Sequence, residues 1–340
     1  MFKQKDFLRE RTGSIRQLAS IRRAILDDGK GRGMRVWDVN NGSGLSFTVY
    51  PDRGMDIGEA WFKGIPLAWI SKNGPVAPQF FENDGSQWLR SWGGGLLTGC
   101  GLINVGDPVD LGEEKMGLHG RLSHTPAENI NTKTKWSKSG FYILEATGEV
   151  RQSKVFGENL LLTRRISTAM GDNSIIIEDT VENQGFHPSP FMLLYHINLG
   201  WPLIDTGCEL EAVEHEIEPQ NAKSAVGLDE WNKVGVPEAG ASGQVFYHHI
   251  PATDCGCAVI KLINKKLNIA LKLDYRLDEL PYLVQWKNMA KCEYALGLEP
   301  ANCLPDGQIK NAERGILKTL EPGETTTAMV KLSIEELDND

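Results

Sequence analysis

The chain has 340 residues, 41% hydrophobic and 24% charged, with 36 Lys and Arg against 45 Asp and Glu for a formal net charge of −9. That composition supports a large buried core and excludes a disordered chain. The acidic balance makes nucleic acid and anionic lipid poor partners, and no apolar run approaches the roughly 20 residues of a membrane helix.

The N-terminal stretch MFKQKDFLRERTGSIRQLAS is too charged for a signal-peptide core. Residues 1–32 read as a helical or extended lead-in, with helical periodicity over Ser14 to Leu26. From residue 33 strand signals dominate. Arg35 to Val39 and Leu45 to Tyr50 flank an Asn40-Asn41-Gly42 turn, and the second run stops at Pro51-Asp52-Arg53-Gly54. Arg53 reads most simply as a turn residue with a local ion pair. Gln79 to Trp92 is a second helical candidate, interrupted by Asp84-Gly85. Phe141 to Val150 is β-rich, and Leu160 to Ala169 with Ser174 to Asn183 reads as a long hairpin around Gly171-Asp172-Asn173. Residues 219–243 are the loosest segment. Ala258 to Ile263, Asn268 to Asp274 and Thr326 to Ile334 are further strands. The pattern excludes a doubly wound sheet and predicts one large antiparallel β domain over 33–340, sheet on sheet.

Several motifs lack the context their chemistry needs. Gly29 to Gly33 and Gly93 to Gly95 do not sit between a strand and a helix, so they read as turns or close backbone contacts rather than nucleotide cradles. No Gly-x-Ser-x-Gly elbow and no HExxH occurs. Cys255-Gly256-Cys257 is too tightly spaced for a zinc knuckle and reads as two thiols of a buried strand. The six cysteines, with Cys100, Cys208, Cys292 and Cys303, read as reduced thiols of a cytoplasmic protein, a Cys208–Cys303 pairing being the alternative.

Three distant segments set polar groups beside apolar β-like runs: Leu118-His119-Gly120-Arg121, Leu194-Tyr195-His196-Ile197-Asn198-Leu199-Gly200-Trp201-Pro202, and Leu296-Gly297-Leu298-Glu299-Pro300-Ala301-Asn302. A carboxylate such as Glu299 at an apolar strand end is seldom buried without a partner or a function. His196 is either a core histidine bonded to a carbonyl or a proton-transfer group. Facing one pocket, the two would form a general acid and base.

With Pro51-Asp52-Arg53-Gly54-Met55-Asp56-Ile57-Gly58, Gly93 to Leu102 and a closing Leu320-Glu321-Pro322-Gly323-Glu324, these segments resemble, in order and spacing, the aldose 1-epimerase (galactose mutarotase-like) superfamily. The likeness spans Gly33 to Ile334 and is greatest to a bacterial domain-of-unknown-function branch. The resemblance implies an all-β supersandwich of large antiparallel sheets with few short helices and a carbohydrate cleft on a concave sheet face. It implies His196 as general acid at the ring oxygen, Glu299 as base on the anomeric hydroxyl, His119 as a sugar-holding group and Asn198 beside the acid. The family's clamping arginine has no match in Gly93 to Leu102; Arg121 and Arg90 are the substitutes in view. The family's substrate-binding aspartate has no match either. Lys287 is placed inward or outward by the alternation it shares with Trp286. The implied activity is interconversion of sugar anomers with a small carbohydrate as partner and no cofactor. Arg121, Lys287 and Arg90 would favour an acidic sugar. A non-catalytic carbohydrate-binding protein is the alternative on the same fold.

Overall fold

A computed structural model describes residues 5–112 and 114–337. The β-branched and aromatic runs form two large antiparallel sheets. The larger has twelve strands. Its path runs Ser20–Ile25, Arg35–Asn40, Leu45–Tyr50, Asp56–Phe62, Leu97–Leu102, Ser189–Gly200, Ala295–Ala301, Tyr282–Asn288, Gln244–His249 and Glu216–Pro219, with Ile65–Pro66 and Lys318–Leu320 attached beside it. The smaller has eight: Glu209–Glu211, Cys257–Asn264, Ile269–Arg276, Thr325–Glu336, Ser174–Asn183, Asn159–Ala169, Tyr142–Ser153 and Glu128–Trp136. Among the described residues helices are short, the longest being Gly307–Glu313. No helix among the described residues is long and apolar enough to cross a membrane.

Period-2 alternation decides what each sheet face meets. In Ser189–Gly200 the side chains of Leu193, Tyr195, Ile197 and Leu199 enter the main core, joined there by Leu160, Leu162, Ile177 and Val330 of the smaller sheet. Met192 and Leu194 point the other way, into a second cluster with Cys100, Trp88, Trp92 and Ala301. The larger sheet is therefore covered on both faces along its central strands, and those strands read as nearly continuous apolar runs.

Two expectations are corrected. Ser14 to Leu26 is not a helix: a 3₁₀ turn at Ile15–Gln17 is followed by the strand Ser20–Ile25, which pairs antiparallel with Arg35–Asn40. Its exposed positions carry arginines, and Arg22 reaches Asp38 at 2.7 Å, so cross-strand pairing overrides local helical periodicity. Gln79 to Trp92 holds only a 3₁₀ turn at Pro78–Phe80 and one helical turn at Trp88–Ser91.

Arg53 is more than a surface turn residue. It is buried, and its guanidinium donates to the carbonyls of Val76 and Ser91 and to Ser123 Oγ, which itself donates to Asp56 at 2.6 Å. It ties the loop before Trp92 to the sheet. Gly95, at φ +106, lies where an added Cβ would stand 2.7 Å from the Ile57 carbonyl, so the glycine run at 93–95 serves close backbone approach.

Candidate active site

On the second face of the larger sheet, register brings the key groups together. Leu194 pairs with Ala301 and Ile197 with Leu298, which sets His196 directly across from Glu299 on the neighbouring strand. Glu299 in turn pairs with Val284, and Trp286 with Gly297. A one-residue slip would send either group into the apolar core. His196 Nε2 and Glu299 Oε1 stand 3.2 Å apart, both nearly inaccessible. The contact is not aligned as a hydrogen bond, and Oε1 has no other partner.

His119 arrives from a turn. Its backbone is left-handed at φ 58, its N–H donates to the Gly106 carbonyl at 2.9 Å, and the Gly106 N–H points back at its Nδ1 at 3.4 Å. That return contact makes Nδ1 an acceptor and leaves Nε2 to carry the proton. The imidazole lies 4.8 Å from the Trp88 ring and 5.7 Å from that of His196. Trp92 and Trp286 flank His196 at 5.1 and 5.7 Å.

These groups line one cavity of about 220 Å³, with Leu118, Gln220, Val245 and Pro305 completing the wall. His119, His196 and Glu299 thus converge although they are distant in sequence. Burial pushes the His196 imidazole down, and the neighbouring His119 lowers it further. Burial also drives the Glu299 carboxyl well above the usual carboxylate range. Both shifts favour a neutral histidine beside a protonated acid, because isolated charges are costly here. Trp88 lines the same space, and its buried Nε1 has no hydrogen-bond partner.

The other expected residues are elsewhere. Asn198 stands behind His196: its Nδ2 donates to the carbonyls of Gly95 and His196, each at 2.9 Å. Its Oδ1 and His196 Nδ1 are buried without a hydrogen-bond partner, and the nearby Asn198 side chain favours the protonated imidazole against the effect of burial. Lys287 turns to the face opposite Trp286 and donates to the Glu230 carbonyl at 2.7 Å. Arg90 is exposed and bonds Gln87 at 2.7 Å; Arg121 is exposed at the turn after His119. None of these cations lines the cavity. Sequence reading missed Trp88, Trp92 and Gln220 as cavity residues. The tryptophans beside the 93–95 glycine run were the available signal for the first two.

Among the described residues no cluster of three or more His, Cys, Asp or Glu is placed to hold a metal. All six cysteines are free, Cys208 and Cys303 included. Cys255 is exposed and precedes its strand, a correction to the buried-strand reading; Cys257 is half-buried.

The two antiparallel sheets form the β-sandwich fold of galactose mutarotase-like proteins. The chain shares its fold with a candidate aldose 1-epimerase from Klebsiella pneumoniae, at 24% identity and TM-score 0.89 over 95% of this chain and 86% of that one. It is also similar to a galactose mutarotase-like protein from Clostridium acetobutylicum (14% identity, TM-score 0.66, 94% of this chain and 100% of that one). A galactose 1-epimerase from Lactobacillus acidophilus aligns at 12% identity and TM-score 0.60, over 94% of this chain and 100% of the other. No curated protein sequence matches it. Residues 31–334 match the model of the domain of unknown function DUF4432, and the chain belongs to that family.

Proposed function

We propose that this protein is a cofactor-independent isomerase that interconverts the α and β anomers of a sugar. The observation that carries the reading is His196 set across from Glu299 at 3.2 Å in a cavity walled by tryptophans. The neutral pair holds one transferable proton, so one member can donate while the other accepts. In the resembling family the histidine is the acid. On this reading the Glu299 proton passes to His196 as the sugar's hydroxyls enter, giving an imidazolium at the ring oxygen and a carboxylate at the anomeric hydroxyl. His196 protonates the ring oxygen while Glu299 removes the hydroxyl proton; the bond from the anomeric carbon to the ring oxygen breaks and a carbonyl forms. Rotation about the next carbon–carbon bond and reclosure on the other face return both protons. Asn198 braces the strand at His196 through the His196 carbonyl, and the Nε2–H of His119 is a donor for a sugar oxygen.

With no lysine or arginine among the described residues that line the cavity, the support for an acidic sugar falls away. Indole faces suit the C–H face of an uncharged ring. The cavity lies below the roughly 300–1,000 Å³ of drug-sized pockets, which suits a monosaccharide.

Magnetisation exchange between anomeric protons, measured across a panel of sugars, tests the proposal. Wild type accelerates exchange of at least one uncharged sugar, and Glu299→Gln and His196→Asn each lower it by about 10²–10⁴-fold with the fold intact. Sugar binding without accelerated exchange would instead make the chain a carbohydrate-binding protein.

A further inference from the structure

Residues 250–256 carry the chain from the strand Gln244–His249 of the larger sheet to Cys257–Asn264 of the smaller one. The crossover ends in a compact turn. Thr253 N–H donates to the Cys257 carbonyl at 2.8 Å, Gly256 N–H donates to the Thr253 carbonyl at 2.8 Å, and Gly256 is left-handed at φ +78. The Thr253 hydroxyl bonds the Cys257 carbonyl at 2.8 Å and lies 3.1 Å from Cys255 Sγ.

The turn sets two thiols two residues apart, on either side of the left-handed Gly256. Cys255 is exposed and Cys257 half-buried, whereas Cys100, Cys208 and Cys303 are buried. Two residues of extended chain span about 6.6 Å, near the upper end of the Cα separation a disulfide bridges. The bend at Gly256 shortens that span. The surroundings also distinguish the two sulfurs. Hydrogen bonds from Thr253 and from the backbone and thiol of Cys257 hold the Cys255 thiol below the ordinary range, while burial and its neighbour's sulfur raise Cys257. An exposed, readily ionised thiol next to a less acidic one is the arrangement of an attacking and a resolving cysteine.

We propose that Cys255 and Cys257 form a redox-active dithiol that closes to a disulfide within the turn by exchange with a small-molecule disulfide. The Cys255 thiolate attacks one sulfur of the disulfide, forming a mixed disulfide and expelling one thiolate. Cys257, giving its proton to solvent, then attacks the Cys255 sulfur and expels the second. Two protein thiols are oxidised by two electrons, and one small disulfide is reduced to two thiols. The site is independent of the sugar cavity and does not rest on the isomerase reading.

The test treats the reduced full chain with oxidised glutathione, quenches with acid, and reads intact mass and peptide maps. Wild type loses two hydrogens, mapped to residues 255–257, and retains no glutathione on Cys255. Cys257→Ser retains one glutathione on Cys255, and Cys255→Ser loses closure completely. Cys292, exposed in its own turn, is the internal control: Cys292→Ser closes as wild type does. A stable glutathione adduct on wild-type Cys255, closure that disappears in Cys292→Ser, or an unchanged reduced mass overturns the proposal. The wild-type map decides it even where a variant fails to fold.

Discussion

A carboxyl group enclosed by an imidazole and indoles resists ionisation, because the charge would lose its water and gain no cation. Glu299 is in that position, and the sign of its effect on stability follows. Above about pH 4.5 the unfolded chain ionises this carboxyl while the fold holds its proton. Its contribution therefore turns unfavourable as pH rises. Glu299→Gln, which keeps the neutral shape, is expected to gain thermal stability relative to wild type, and to gain more at pH 8 than at pH 5. An equal or reversed difference at the two pH values would show that Glu299 is ionised in the fold. Gly297 is the other residue on which the acid depends. An added Cβ there would stand 2.4 Å from Glu299 Oε1 and 3.1 Å from the Trp286 Cβ. Gly297→Ala should displace the carboxyl while leaving the sheet intact, lowering anomer exchange by about 10²-fold, as expected for a displacement near 1 Å. Unchanged exchange would mean that the carboxyl position is not critical. The chemistry of Glu299 and His196 was legible from a carboxylate and an imidazole set in apolar strands. The need for glycine two residues before Glu299 was not, since it depends on which way the carboxyl leans.

Between elements, the two sheets are tied by a polar contact inside the core. Arg164, on the strand Asn159–Ala169, is fully buried and pairs with Asp179 on Ser174–Asn183, its Nη2 donating at 2.6 Å. Tyr195 of the larger sheet donates to the same carboxylate at 2.7 Å, and Arg164 also donates to the Gly54 carbonyl at 3.1 Å. Removing Arg164 leaves the buried Asp179 carboxylate without its opposite charge. Arg164→Met is expected to cost about 3–5 kcal/mol and Tyr195→Phe about 1 kcal/mol, both read from urea midpoints. A loss under 1 kcal/mol for the arginine variant would mean that the pair is not a structural tie. The strands themselves were readable from β-branched runs and Asn/Gly turns: the hairpin expected around Gly171 is present as Asn159–Ala169 and Ser174–Asn183. The strand Ser20–Ile25 was not readable, because its identity comes from pairing with Arg35–Asn40 and its own apolar spacing also fits a helix.

For the whole molecule, burial of imidazoles sets the response to acid. Desolvation lowers His119 to about 4 and His196 and His248 to about 3, and puts His124 well below its ordinary value. Unfolded histidines take up protons near pH 6.5, so from there down to about pH 4 the unfolded chain binds protons that the fold refuses. Asp56, raised by burial to about 6, and Glu299 act in the opposite sense. Four imidazoles outweigh two carboxyls, and the melting temperature should fall between pH 7 and pH 4.5. A constant or rising value would show that the histidines are protonated in the fold. The all-β class, eight of the described strands and the residue types able to move protons were legible in the chain alone, because alternation and turn chemistry are local properties. Which of those residues meet is a matter of tertiary packing. Register across three strands joins His196 and Glu299 and brings Trp286 beside them, and a left-handed turn adds His119. Lys287, Arg90 and Arg121 lie off the cavity wall, since strand alternation and surface exposure, rather than proximity in sequence to a motif, determine where a side chain points.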